Sequence, residues 1–168
     1  MTLHYATTET TIGELLLVAS PQGLLRVAFL SEEHGSVLVA LAKQMGEPPI
    51  FSPDHLSDAL RQFDEYFSGN RTRFDLALDL QLSTPFRRAV QEYLIRIPYG
   101  DTASYAEVAS AVGKPKAVRT VGTACATNPL PVVLPCHRVV RSDGALGNYL
   151  GGLDAKRTLL ALENRSST

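Results

Sequence analysis

A chain of 168 residues with 45% hydrophobic and 20% charged side chains has the composition of one ordinary folded domain or two small ones, which excludes a disordered tail or a fibrous repeat. No apolar run reaches the ~18 residues that span a bilayer, and MTLHYATTET lacks the basic-then-apolar order of a secretory signal, so a cytoplasmic protein without membrane contact is expected. The net charge of −1 hides a split: residues 1–82 carry five Lys/Arg against eleven Asp/Glu, and residues 83–168 carry eleven against six. A basic half can attract a polyanion while the acidic half faces away, although loose drift of surface charge gives the same split.

In chain order, Leu3 to Thr8 and Leu15 to Ala19 read as strands with the turn at Ile12-Gly13, and Gly23 opens a third strand, Leu24 to Leu30. A helix is expected over Ser36 to Gln44, stopped by Gly46 and Pro48-Pro49. The next helix has the clearest start signal: Ser52 as N-cap, Pro53 at its first position, Asp54 in its first turn and Gly69 at its end. Leu56, Leu60, Phe63 and Phe67 recur on it at helical spacing. Phe74 to Leu80 alternates, and Ser83-Thr84-Pro85 marks a boundary. Residues 1–82 therefore read as a small α/β domain with an antiparallel sheet and no chemical constellation.

Residues 83–168 read as a second, mostly helical domain. Phe86 to Ile97 forms a helix closed by Pro98 and Gly100; Ser104 caps a short helix, Tyr105 to Ala111, and another runs from Lys116 to about Ala126 after Gly113 and Pro115. Two short helices around such a turn make a helix-turn-helix pattern, which any helical hairpin also shows. The second carries Ala117, Thr120, Gly122, Thr123, Ala124 and Ala126. A face this small suits close approach to another surface, or equally tight helix packing. Beyond it lies Pro135-Cys136-His137-Arg138. A cysteine beside a histidine fits a held thiolate, whose nucleophilicity needs a pKa lowered from ~8.5, but it also fits a buried structural cysteine. A glycine-rich stretch, Arg141 to Gly152, holds one aromatic, Tyr149, and reads as the mobile wall of a site or as a tight connection. The last helix, Asp154 to Asn164, carries Glu163, which by itself reads as a surface charge. The two cysteines, Cys125 and Cys136, form no CxxC, and His4, His34 and His55 are scattered, so neither a disulfide nor a metal site is expected.

From Gly100 onward the pieces GDTASY, GKPKAVRTVGTACATNP, PCHRVV and GNYLGGLDAKRTLLALE resemble, in order and spacing, the O6-alkylguanine-DNA alkyltransferases. The resemblance implies an α+β protein whose C-terminal domain is winged helix-turn-helix-like and carries the active site. It implies that Cys136 accepts the alkyl group from guanine O6 once and irreversibly, with O4-alkylthymine left open as a second substrate. His137 would withdraw the thiol proton through a water, Glu163 would orient His137, Asn128 would support the thiol, and Tyr105 would donate toward the guanine ring and crowd a phosphate. Val139, Tyr149, Leu150 and Gly151 would line the base pocket, with Gly151 suggesting room for adducts larger than methyl. Arg119 would fill the stack vacated by the extruded base, while Ala117, Thr120, Gly122 and Thr123 would face the minor groove of double-stranded DNA. No cofactor and no metal are implied, and the protein would act as a monomer, with cooperative assembly on DNA left open. Gln91 stands where the family often has tryptophan, and Thr120 where alanine is common.

Overall fold

The computed structural model describes residues 1–166, which form two compact units, Met1–Leu82 and Ser83–Thr168, the latter described as far as residue 166. The N-terminal unit is built on strands β1 (His4–Thr10), β2 (Gly13–Ser20) and β3 (Gly23–Phe29), helix α1 (His34–Met45), a two-residue strand β4 (Ile50–Phe51) and helix α2 (Ser57–Phe67). The sheet order is β3-β2-β1-β4; β2 is antiparallel to both β1 and β3, and β4 runs parallel to β1. β2 is central, and its run Leu15-Leu16-Leu17-Val18 has no exposed surface, as a strand covered on both faces requires. Leu16 and Val18 pack with Val37 and Leu41 of α1, while Leu15 and Leu17 alternate to the other face. Gly23 explains the covered edge of β3. A Cβ there would lie 2.4 Å from the Ala77 carbonyl oxygen, so only glycine lets the chain return at 77–79, where Ala77 accepts from Leu24 N–H and Leu24 accepts from Asp79 N–H.

The expected Ser52 cap differs in detail. Ser52 Oγ bonds His55 Nδ1 at 2.7 Å rather than a helix N–H, and a 3-10 turn, Pro53–Leu56, precedes α2. Stacking of His55 on His4, with ring centroids 3.6 Å apart, competes with the cap for this segment.

The C-terminal unit comprises α3 (Pro85–Leu94), β5 (Ala103–Ser104), α4 (Tyr105–Ala111), α5 (Val118–Ala126), a 3-10 turn at Cys136–Arg138, β6 (Val139–Val140) and α6 (Leu153–Ser166). α3, α4 and α5 pack on one another around Val90, Leu94, Val108, Ala109, Val121 and Ala124. Each fully buried valine or leucine among them stabilises the fold by roughly 1.5–3 kcal/mol. α4 starts where the sequence places it. Ser104 Oγ accepts from Glu107 N–H, and Glu107 Oε1 accepts from Ser104 N–H, a reciprocal capping box. Parallel pairing of Ala103 with Val139 and Ser104 with Val140 then sets the first residue of α4, Tyr105, beside the segment that follows Cys136. Strands of two residues are too short to leave a sequence period. Fully buried Gln91 accepts from Ser83 Oγ and donates to the Ala124 carbonyl, one of the last carbonyls of α5. No helix among the described residues is long and apolar enough to cross a membrane.

Candidate active site

Cys136 begins a 3-10 turn directly after Pro135 and is 4% exposed. Asn128, also buried, organises the approach to it. Its amide N–H donates to the Cys125 carbonyl, its side-chain oxygen accepts from Leu130 N–H, and its side-chain nitrogen donates to the Leu134 carbonyl. Leu134 in turn accepts from Cys136 N–H at 2.8 Å. Between these points Val132 sits at φ 75°, a left-handed conformation that a β-branched residue adopts only when its surroundings impose it. Those surroundings are Leu130 and Leu134, both without exposed surface.

The histidine next to the cysteine turns away from solvent entirely. His137 Nε2 lies 2.8 Å from Glu163 Oε2, and Arg138 holds the same carboxylate in a fork, Nε to Oε1 at 2.8 Å and Nη2 to Oε2 at 2.9 Å. Arg138 is completed by Nη1 donating to the Ile97 carbonyl and by the Tyr99 ring beneath its guanidinium. Glu163 is 1% exposed. Burial alone would raise its pKa, but the hydrogen bonds with His137 and Arg138 win and bring it to about 2. Burial pushes the His137 pKa down, against the opposing pull of Glu163. A neutral imidazole facing a carboxylate through Nε2 must donate there, so its lone pair sits on the buried Nδ1, which bonds no other group among the described residues. That is the tautomer of a base. Burial is the chief influence against its protonation, and Arg138 adds to it as a permanent cation already matched to the carboxylate.

A second buried cation acts on the thiol. Lys156 has no exposed surface, and its Nζ donates to the Val139, Leu146 and Asn148 carbonyls at 2.7, 2.5 and 3.4 Å. It also lies 5.9 Å from the centre of the Tyr105 ring. One ammonium therefore ties the glycine-rich stretch to β6 and to the first residue of α4. Burial raises the Cys136 thiol, and three influences oppose it: the Asn128 side chain, Lys156 and the backbone of the turn. Tyr105 is pushed up to about 12, first by burial and then by Cys125 and Cys136, and so stays a proton donor at neutral pH. Neither Lys156 nor Arg138 was expected here from the sequence. A signal existed: Lys156, Leu159 and Glu163 are spaced three and four apart, on one face of α6, and that face is buried.

Cys136 opens on a cavity of about 540 Å³ whose walls are Tyr105, residues of α5 and Arg141 with the stretch 147–150. α5 contributes Val118, Arg119, Gly122, Thr123, Cys125 and Ala126. Gly122 meets open space where a Cβ would be, so Gly122, Thr123 and Ala126 border the cavity, whereas Ala124 packs in the helical core. Of the residues singled out from sequence, Cys136, Tyr105, Arg119, Gly122, Thr123, Tyr149 and Leu150 line this cavity. His137, Glu163 and Asn128 stand behind it in the buried network. Ala117 and Thr120 lie outside the lining, Ala117 at the N-cap of α5 and Thr120 exposed on it. Val139 is packed in the core behind the thiol, and Gly151 lies beyond the lining stretch. Gly147 makes the tightest contact of the wall. Its φ is 76°, and a Cβ would come 2.9 Å from the Tyr105 hydroxyl. No group of three or more His, Cys, Asp or Glu among the described residues has the arrangement of a metal site.

The C-terminal unit thus sets a helical pair, α4 and α5, beside a buried Cys–His–Glu array that opens on a cavity. Residues 85–165 match the 6-O-methylguanine DNA methyltransferase, DNA binding domain, and residues 3–80 match the 6-O-methylguanine DNA methyltransferase, ribonuclease-like domain. The chain belongs to this family. It is 39% identical over 164 residues to the methylated-DNA–protein-cysteine methyltransferase of Methanosarcina barkeri, covering 98% of this chain and 99% of that one. It is 41% identical over 164 residues to the constitutive methylated-DNA–protein-cysteine methyltransferase of Bacillus subtilis, covering 97% and 96%. The crystal structure of Mycobacterium tuberculosis OGT in complex with DNA superposes with a TM-score of 0.83 at 37% identity, covering 97% of this chain and 94% of that one. The mixed α+β architecture, with an N-terminal sheet and a helical C-terminal part, is shared with these structures.

Proposed function

We propose that this chain is a DNA repair methyltransferase that removes the alkyl group from O6-alkylguanine in duplex DNA and keeps it on Cys136. The observation that carries the reading is the buried thiol backed by a neutral histidine and opening on a cavity walled by α5. His137 Nδ1, through a bridging water, takes the thiol proton; Glu163 and Arg138 hold the imidazole in its base tautomer. The thiolate attacks the alkyl carbon, the C–S bond forms, and the C–O6 bond breaks with its electron pair on guanine. The guanine then takes a proton, and Tyr105, still protonated, is the donor at hand.

An alkyl group on O6 is out of reach inside a base stack, so the nucleotide must be extruded, at a few kcal/mol for a damaged base. The cavity is within the ~300–1,000 Å³ range of sites that enclose a small molecule, which suits a purine with its adduct. Arg119, exposed at the rim, would enter the vacated stack from the minor groove, where Gly122 and Thr123 allow close approach. An alkyl thioether is stable in water, so each molecule acts once; the same reading has the protein work as a monomer and call on no cofactor.

The test is intact mass after incubation with an O6-methylguanine duplex. One added methyl group mapped to Cys136, with no turnover beyond one equivalent, is expected. Cys136→Ala should abolish transfer while duplex binding survives; transfer by that variant would overturn the assignment.

A further inference from the structure

Cys125 takes no part in the chemistry above, yet it shares the site. It lies on the last turn of α5, is buried and free, and lines the same cavity as Cys136 within one apolar cluster. Asn128 fixes the two cysteines to a common frame. Its N–H holds the Cys125 carbonyl at 3.3 Å, and its side chain holds the Leu134 carbonyl, which accepts from Cys136 N–H. The chain between the cysteines is thus pinned at its neck, with both residues lining one cavity. After burial, the strongest influence raising the Cys125 thiol is Cys136 itself, which two remote thiols would not show.

We propose that Cys125 is a resolving thiol: a hydroperoxide entering the cavity oxidises Cys136, and Cys125 converts the product to a Cys125–Cys136 disulfide. The proposal rests on Cys136 being the nucleophile of the site. The Cys136 thiolate attacks the terminal peroxide oxygen; an S–O bond forms, the O–O bond breaks, and the leaving alkoxide or hydroxide takes a proton, leaving a sulfenic acid. The Cys125 sulfur, giving up its proton, attacks the sulfenic sulfur; the S–S bond forms and the S–O bond breaks with loss of water. Two thiols and one hydroperoxide give one disulfide, one alcohol or water, and one further water. A sulfenic acid with no neighbouring thiol goes on to irreversible sulfinic acid. The disulfide therefore keeps the acceptor recoverable. Burial raises both thiols, so the oxidation is slow at neutral pH and accelerates as pH rises.

The test treats the full chain with hydrogen peroxide in the absence of DNA. A mass lower by two hydrogen atoms is expected, with a linked Cys125–Cys136 peptide after non-reducing digestion. Alkyl transfer should be lost, then restored by dithiothreitol to the untreated level. Cys125→Ala, compared with its own untreated rate, should instead gain oxygen atoms on Cys136 and stay inactive after dithiothreitol. Absence of the linked peptide in the wild-type chain overturns the proposal on its own, and so does equal recovery in Cys125→Ala. The linked peptide is read without alkylated DNA, so its outcome is separate from whether Cys136 accepts an alkyl group.

Discussion

The two units treat charge in opposite ways. Among the described residues of the N-terminal unit, Asp79 is the one buried carboxylate, its partners are the neutral Ser20 and Gln81, and no lysine, arginine or histidine is buried. The Arg61 pairs with Asp58 and Glu65 lie on the surface, and Arg26 with Glu32 is partly buried. The C-terminal unit buries His137, Arg138, Lys156 and Glu163 around a single thiol. Taking charges out of water costs several kcal/mol each unless every one is matched, so a domain this small does not keep three of them, on Arg138, Lys156 and Glu163, for stability alone. The net charges follow the same division, −6 on residues 1–82 and +5 on residues 83–168. The difference separates a scaffold held by apolar burial from a unit organised around chemistry.

That contrast can be broken most directly at Glu163. Glu163→Gln keeps the shape but leaves Arg138 without its carboxylate and lets the His137 tautomer wander. Transfer should fall by about 10²- to 10⁴-fold, with a loss of about 3–5 kcal/mol in stability measured by denaturant unfolding. A rate within twofold of wild type would remove Glu163 from the mechanism. Lys156→Met fills the same volume and strips three carbonyls of their donor. Roughly a tenfold slower transfer is expected, equivalent to about 1.4 kcal/mol in the barrier, together with broadened NMR signals for the stretch 146–148. Unchanged rate and spectra would reduce Lys156 to filler.

Acid unfolding sharpens the contrast further. The His137 pKa is lower in the fold than the ordinary 6.5, so its contribution to stability is complete above that value. Below it the unfolded chain takes a proton that the fold refuses, and stability declines. Glu163, at about 2 in the fold, adds a second loss as pH falls through the carboxylate range toward that value. Melting curves from pH 7 to 3 should therefore show a stability loss setting in below pH 6.5 that His137→Asn abolishes. The smallest effect is expected at Arg61. Its pairs are surface pairs, so Arg61→Ala should leave melting temperature and transfer rate unchanged. A clear loss of activity there would mean that the N-terminal unit is more than a scaffold.

Local features of the site were legible in the sequence. Ser104 announces the cap of α4 because a capping box needs residues only three apart, and Pro-Cys-His-Arg announces the nucleophile because its members are adjacent. Lys156 was legible only as a member of the Leu159 and Glu163 face of α6. A lysine in a helical run reads as solvated, and the convergence of carbonyls from residues 139, 146 and 148 on it is not encoded in that spacing. Arg138 was hidden for the same reason: its value lies in Glu163, twenty-five residues on. Glu163 itself gained meaning only through resemblance, since burial statistics placed it on the surface. Gln91 was legible only as a departure from the family's tryptophan, and its contact with the end of α5 depends on three-dimensional placement that no periodicity encodes.

Val132 gives the site a thermal character of its own. A β-branched residue at φ 75° costs about 1–3 kcal/mol and is held there only by its packed neighbours and the Asn128 bonds. When warming loosens those neighbours, this segment has the most to gain by relaxing, and it leads straight to the nucleophile. Competence for repair should then fade some degrees before the helices and sheet melt, so that a warmed sample still looks folded by circular dichroism while its thiol has lost its aim.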